Sequence, residues 1–176
     1  MATFLKLHGQ LPNSGWDIYS VYVPTPAKLP VAMPTSVRHF VCFLLWSPEK
    51  VEADTIAKAA ERLLALGCVY FCCCGTNGQR IRQIFEDVAA GKLGSGRVWP
   101  NVVVTSHSFT AMSDAFEFCT DTALPNEAYL DTCSTIVCIG IGDQLAYPFI
   151  ECAIGIKLLQ PPPNPPQDRA MAMRRK

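Results

Sequence analysis

At 176 residues, 49% apolar and 17% charged, the chain is long enough for one domain with a full hydrophobic core and too apolar for bulk disorder. Its 15 basic and 15 acidic side chains cancel, which argues against a broad cationic surface for nucleic acid. No apolar run reaches the length that crosses a bilayer, so no membrane partner is expected.

The balance of charge is uneven. Residues 161–176 carry Arg169, Arg174, Arg175 and Lys176 against Asp168, a net +3, and the remainder is −3. The start, Met-Ala-Thr-Phe-Leu-Lys, lacks the basic-then-apolar order of a secretory signal, so a cytoplasmic location is expected. Cysteine is abundant, nine in all, and most lie inside apolar runs, as small core residues do in a reducing compartment. No C-x-x-C pair is followed by another, and in a strand only Cys72 and Cys74 of the Cys72-Cys73-Cys74 run share a face. The reading therefore includes no metal and no cofactor.

Residues 1–38 read as an N-terminal arm. Trp16 to Val23 is β-branched and aromatic and suits an added strand. Pro24, Pro26, Pro30 and Pro34 then break any regular element. From His39 the pattern changes to alternating strands and helices, and residues 39–160 read as an α/β domain. His39–Trp46 is continuously apolar, as a strand buried on both faces is. Ser47-Pro48-Glu49 then resembles a helix start, with Ser47 as cap and Pro48 in the first turn. Ile56, Ala60, Leu63 and Leu64 form the helix's apolar stripe, and Gly67 ends it.

Cys68–Cys74 is the second strand of this series. It leads through Gly75-Thr76-Asn77-Gly78 into a helix with Ile81, Ile84, Phe85 and Val88 on one face, Thr76 or Asn77 being the cap. The glycine-rich stretch 91–100 precedes a third strand, Asn101–Ser106, and a third helix spans Ala111 to Asp121. The fourth strand is Thr135–Ile139. Residues 145–159 suit either a helix opened by Pro148 or a strand, with the helix preferred. Residues 161–176 form a proline-rich basic tail of polyproline type. The whole predicts a three-layer α/β sandwich around a mainly parallel sheet of four or five strands, Rossmann-like or flavodoxin-like.

Parallel strands bring their carboxyl ends to one rim, and ligands of such sheets bind there. That rim would gather Ser47, Gly75, Thr76, Asn77, Thr105, Ser106, His107 and Asp143. His107 beside hydroxyls suits a general base, with Asp143 to orient it and Ser106 or Cys74 as nucleophile. The competing reading is that His107 and Ser108 only complete a loop. Gly75, Thr76, Asn77, Gly78 and Arg80 open a helix, where amides and the helix dipole favour an anion. The turn matches neither the P-loop nor the dinucleotide fingerprint. Glu86, Asp87, Asp114, Glu117 and Asp121 fall at spacings of a solvated helix face.

Three stretches carry a resemblance: Gly67-Cys68-Val69-Tyr70-Phe71-Cys72 with Gly75, then Val104-Thr105-Ser106-His107, and Cys138-Ile139-Gly140-Ile141-Gly142-Asp143. They resemble an uncharacterised bacterial α/β family with a GC-x-Y-x-C-x-x-G strand and a T-[ST]-x-H strand end. Here Ser106 stands where that group tends to have Trp. Asn77-Gly78 replaces a more acidic, cysteine-containing turn. The resemblance implies a bacterial cytosolic α/β domain and brings no activity with it.

Two functions are consistent with these features. One is a non-catalytic protein-binding module, an accessory or inhibitory subunit of a bacterial cytosolic complex. Its protein partner would be met through Trp16, Tyr19, Tyr22 and the 161–176 tail. The other is a small hydrolase or transferase centred on His107.

Overall fold

The computed structural model describes residues 5–142 and 146–161. Asp143 and most of the proline-rich tail thus lie outside the described residues. The strands are β1 (Lys6–Gln10), β2 (Asp17–Val23), β3 (His39–Trp46), β4 (Cys68–Gly75), β5 (Val103–His107) and β6 (Cys133–Ile141). The helices are α1 (Ala53–Ala65), α2 (Gly78–Ala89), α3 (Met112–Asp121) and α4 (Ala146–Leu159). All six strands form one sheet in the order β1-β2-β6-β3-β4-β5. Every pairing is parallel except β1 with β2.

The sheet is one strand wider than the upper sequence expectation. The extra strand is β1, whose residues Lys6-Leu7-His8-Gly9-Gln10 show neither β-branched enrichment nor apolar alternation. It forms by antiparallel pairing with β2, so its neighbour and not its own composition defines it. The Trp16–Val23 segment is indeed a strand, and it lies inside the sheet between β1 and β6.

Burial on both faces explains the apolar runs. Phe40, Cys42, Leu44 and Trp46 of β3, with Phe71 and Cys73 of β4, pack under α1 and α2. Val41, Phe43 and Leu45, with Tyr70, Cys72 and Cys74, pack under α3 and α4. This is the period-two alternation of a strand, with both faces apolar because both are covered. Edge-on aromatic pairs fix each layer: Phe71–Phe85 on the first side and Phe43–Phe116 on the second.

Two helix starts differ from the sequence reading. The helix after β3 begins at Ala53 with Glu52 in the cap position, not at Ser47. The Ser47-Pro48 pair is used at the sheet rim, as described below. Asn77 does precede α2, but its side chain caps nothing; its amide donates to the Glu49 carbonyl at 2.6 Å. Gly67 ends α1 as expected, at φ +101°, the left-handed geometry that a residue with a Cβ resists. Residues 146–159 form a helix. Among the described residues no helix is long and apolar enough to cross a membrane.

Candidate functional site

The parallel strands β5-β4-β3-β6 follow the Rossmann order 3-2-1-4 when β3 is counted first. The chain leaves β3 toward α1 on one face and β6 toward α4 on the other. The switch point therefore lies between the ends of β3 and β6, where such sheets take their ligands. There the ends of the two strands touch. The Ser47 N–H donates to the Ile141 carbonyl at 3.0 Å. The Pro48 ring presses on Gly142, so that a Cβ added there would stand 2.6 Å from Pro48 Cδ. The Tyr22 hydroxyl donates to the Gly142 carbonyl at 2.6 Å. A dinucleotide turn needs glycine after the first strand to let a pyrophosphate approach the backbone; this chain has Ser47-Pro48-Glu49.

His107 ends β5 opposite Cys74 of β4. Its Nε2 lies 3.2 Å from Thr105 Oγ1, and its ring lies 5.0 Å from that of Phe118. The Thr105 hydroxyl also lies 3.2 Å from the Phe71 carbonyl, to which it can donate. Ser106 is the next residue along the strand and points to the other face, where it sits near Gly78 of α2. His107 and Ser106 therefore cannot form a nucleophile–base pair. Cys74 is fully buried, its Sγ donates to the Ser108 carbonyl at 3.5 Å, and burial pushes its thiol up to about 11. A thiol held protonated in this way is a poor nucleophile. Ser108 does serve its loop: its side chain accepts from the Thr110 N–H.

The thiol that His107 meets is Cys72, which the sequence reading assigns to the core. A hydrogen bond with Cys119, working against burial, and further bonds to His107 and Thr105 lower Cys72 to about 6. Cys119 comes from α3 and His107 from β5; only the fold brings them to Cys72, so nothing local in the sequence marks the pair. Both Cys72 and Cys119 are sealed, at 0% and 1% exposure. Thiolate character without access gives no substrate chemistry. Among the described residues no group of three or more His, Cys, Asp and Glu is arranged to hold a metal ion.

At the Gly75–Gly78 turn, Gly75 and Gly78 are buried while Thr76 and Arg80 are exposed. A Cβ on Gly78 would meet the His107 carbonyl at 3.1 Å, so this glycine serves close packing of α2 on β5. Arg82 is engaged along the helix by Glu86 at 2.8 Å.

A second polar cluster lies where α4 crosses β1 and β2. Ser20 Oγ donates to Glu151 Oε1 at 2.8 Å, and His8 Nε2 lies 2.8 Å from Ser20 Oγ and 3.1 Å from Glu151 Oε1. Lys6 pairs with the other carboxylate oxygen. Burial alone would raise Glu151, but bonds from Lys6, Ser20 and Tyr147 hold it below the usual carboxylate range. Burial lowers His8 in turn. The residue types are those of a Ser–His–acid triad, yet the carboxylate sits on the serine rather than on the far ring nitrogen, and Ser20 is 1% exposed. The cluster ties β1 and β2 to α4.

Of the aromatic residues expected to meet a partner, Tyr19 is in the core at 7% exposure. Trp16 and Tyr22 are half-buried, and Tyr22 is engaged at Gly142.

The geometry defines a Rossmann-like α/β domain. A sequence model of the family described as Domain of unknown function (DUF7684) matches residues 18–152, and the chain belongs to that family. No curated protein and no solved structure matches it.

Proposed function

We propose that the chain is a non-catalytic protein-binding module, an accessory subunit that docks an apolar helix of another protein on the outer face of α4. The observation that carries this is the inverted chemistry of α4. The helix has two charged residues, Glu151 and Lys157, and both are turned inward: Glu151 to the Ser20 cluster, and Lys157, 5% exposed, to Asp121 at 2.5 Å. The outward side carries Pro148, Cys152, Gly155, Ile156 and Leu159, all exposed. At 3.6 residues per turn these five fall on one stripe.

Ordinary surface helices show the opposite pattern, and an apolar stripe at this spacing is what a helix presents to another helix. Ile156 and Leu159 are 59% and 86% exposed; burying each side chain fully would contribute roughly 1.5–3 kcal/mol. A Cβ on Gly155 would meet no atom within 4 Å. With Cys152 beside it, the middle of the stripe is low enough for a second backbone to approach closely. Ser47-Pro48-Glu49, where a dinucleotide site has glycine, supports a binding role over a nucleotide-dependent one. Cysteines used as buried packing, eight of the nine, suit a reducing bacterial cytoplasm.

Cys152 is the exposed cysteine among the described residues, which supplies the test. In a gentle lysate of the source, a seated partner slows alkylation of Cys152 at least tenfold relative to the purified chain, and Ile156→Asp abolishes the protection. Equal rates in lysate and purified chain refute the reading. Protection that grows with the concentration of purified chain assigns the face to a second copy and also refutes a heterologous partner. The Cys72–His107 contact favours the alternative of a small hydrolase or transferase centred on His107. That alternative requires α3 to lift away from Cys72, and it requires His107→Ala to remove an activity.

A further inference from the structure

The amino-terminal rim of the sheet, opposite the switch point, holds a cavity of about 360 Å³. Its wall includes Arg38, His39, Gly67, Arg97, Trp99 and Tyr129. The lining contains two guanidinium groups and no carboxylate. Among the described residues neither Arg38 nor Arg97 has an ion pair or hydrogen bond. Arg97 lies over the Trp99 ring, 5.1 Å from its centroid. The Trp99 indole Nε1 is enclosed and has no acceptor.

Several acceptors of this rim are, by contrast, already used. At the end of α1 the Arg62 and Leu64 carbonyls accept from Leu66 and Gly67, and the Gly67 carbonyl accepts from Phe40. His39 Nδ1 lies 2.7 Å from Thr132 Oγ1, and its ring meets Tyr129 edge-on at 4.9 Å. The Tyr129 hydroxyl donates to the Pro100 carbonyl at 2.7 Å. One side of the cavity is thus a fixed aromatic wall. The other side offers donors and positive charge without a counterpart.

We infer that this cavity binds a small organic anion, held by a carboxylate or phosphate group between Arg38 and Arg97. Guanidinium forks match the paired oxygens of both groups. Trp99 lines the same cavity and its indole N–H has no acceptor, which makes it the third donor of the site. The volume exceeds what one inorganic ion fills and falls in the range of small-molecule sites, so the ligand carries an organic body against His39 and Tyr129. No residue of α4 takes part, so this inference stands or falls apart from the docking proposal.

The test is isothermal titration calorimetry on the full chain with inorganic phosphate, citrate, benzoate and adenosine monophosphate as probes. At least one probe is expected to bind saturably. Arg38→Gln and Arg97→Gln should each weaken it roughly tenfold or more with the melting temperature unchanged. Trp99→Phe, which keeps the ring and removes the donor, should weaken it by about three- to tenfold. Phosphate and monophosphate binding without the carboxylates identifies a phosphate ligand, and the reverse identifies a carboxylate; either supports the site. In the wild-type chain the Trp99 indole N–H resonance must move during the same titration. No saturable binding by any of the four overturns the inference. So does binding that survives Arg38→Gln/Arg97→Gln, or an unmoved Trp99 resonance.

Discussion

Replacing Gly142 with alanine should destabilise the chain through two separable effects, and the structure says how to separate them. Gly142 sits at φ +98°, a region that costs an L-residue about 1–2 kcal/mol. Its new Cβ would also lie 2.6 Å from Pro48 Cδ and 2.7 Å from Pro48 Cγ, an overpacking that typically costs about 1–3 kcal/mol. The sum is about 2–5 kcal/mol, a large share of an ordinary domain's stability of roughly 5–15 kcal/mol. Pro48→Ala removes both offending ring atoms. In that background Gly142→Ala should keep only the backbone cost, leaving a coupling of about 1–3 kcal/mol in a double-mutant cycle. The assay is urea unfolding of the four chains, compared at constant slope. A coupling indistinguishable from zero would show that Pro48 does not press on Gly142.

Four further outcomes are expected. Asp121→Ala strands the buried Lys157 ammonium and should cost about 1–3 kcal/mol, less than a fully buried pair because Asp121 is itself 37% exposed, whereas Lys157→Met should cost under about 1 kcal/mol; equal costs for the two would contradict the assignment. Burial holds folded His8 below its ordinary 6.5 and Glu151 is held below 4.5, so the unfolded chain binds more protons on acidification. Burial also lowers His39, so stability should begin to fall as pH drops below about 6.5 through both histidines and fall further as Glu151 protonates; His8→Asn should make the fall of the urea midpoint between pH 7 and 5 shallower, and an unchanged profile would remove His8 from the account. In the native purified chain Cys152 should be modified by a neutral-pH thiol reagent well before the rest, and rapid labelling of Cys72 in peptide maps would show that α3 does not seal it. Ile156→Asp, on the open stripe, should leave the unfolding free energy within the range of surface changes, about ±0.5 kcal/mol; a loss above about 1 kcal/mol in urea unfolding would mean that the stripe is covered.

Strands β3, β4 and β6 were legible because burial on both faces leaves continuous apolar runs, and Gly67 was legible because positive φ demands glycine. The start of α1 was not, since Ser47-Pro48-Glu49 has the composition of a helix start whether it caps a helix or packs over a neighbouring strand end. Only the position of Gly142 decides between these uses. At the candidate site the sequence indicated His107 and missed its contact, because Cys72 lies in an unbroken apolar run and meets Cys119 and His107 only after α3 and β5 fold over it. Ser106 was misjudged because neighbours on a strand look adjacent in sequence and face opposite ways in space. The meaning of α4 was hidden for a related reason. Its apolar composition was plain, but which residues face outward depends on Ser20 and Asp121 drawing Glu151 and Lys157 inward.

Native mass spectrometry of the full chain, gently purified from its source without a tag on residues 161–176, tests the binding role most directly when run beside Ile156→Asp. The account predicts a stoichiometric protein companion on the wild-type chain that is lost from the variant. A chain that carries no companion in either form, or a companion that stays on the variant, would contradict it.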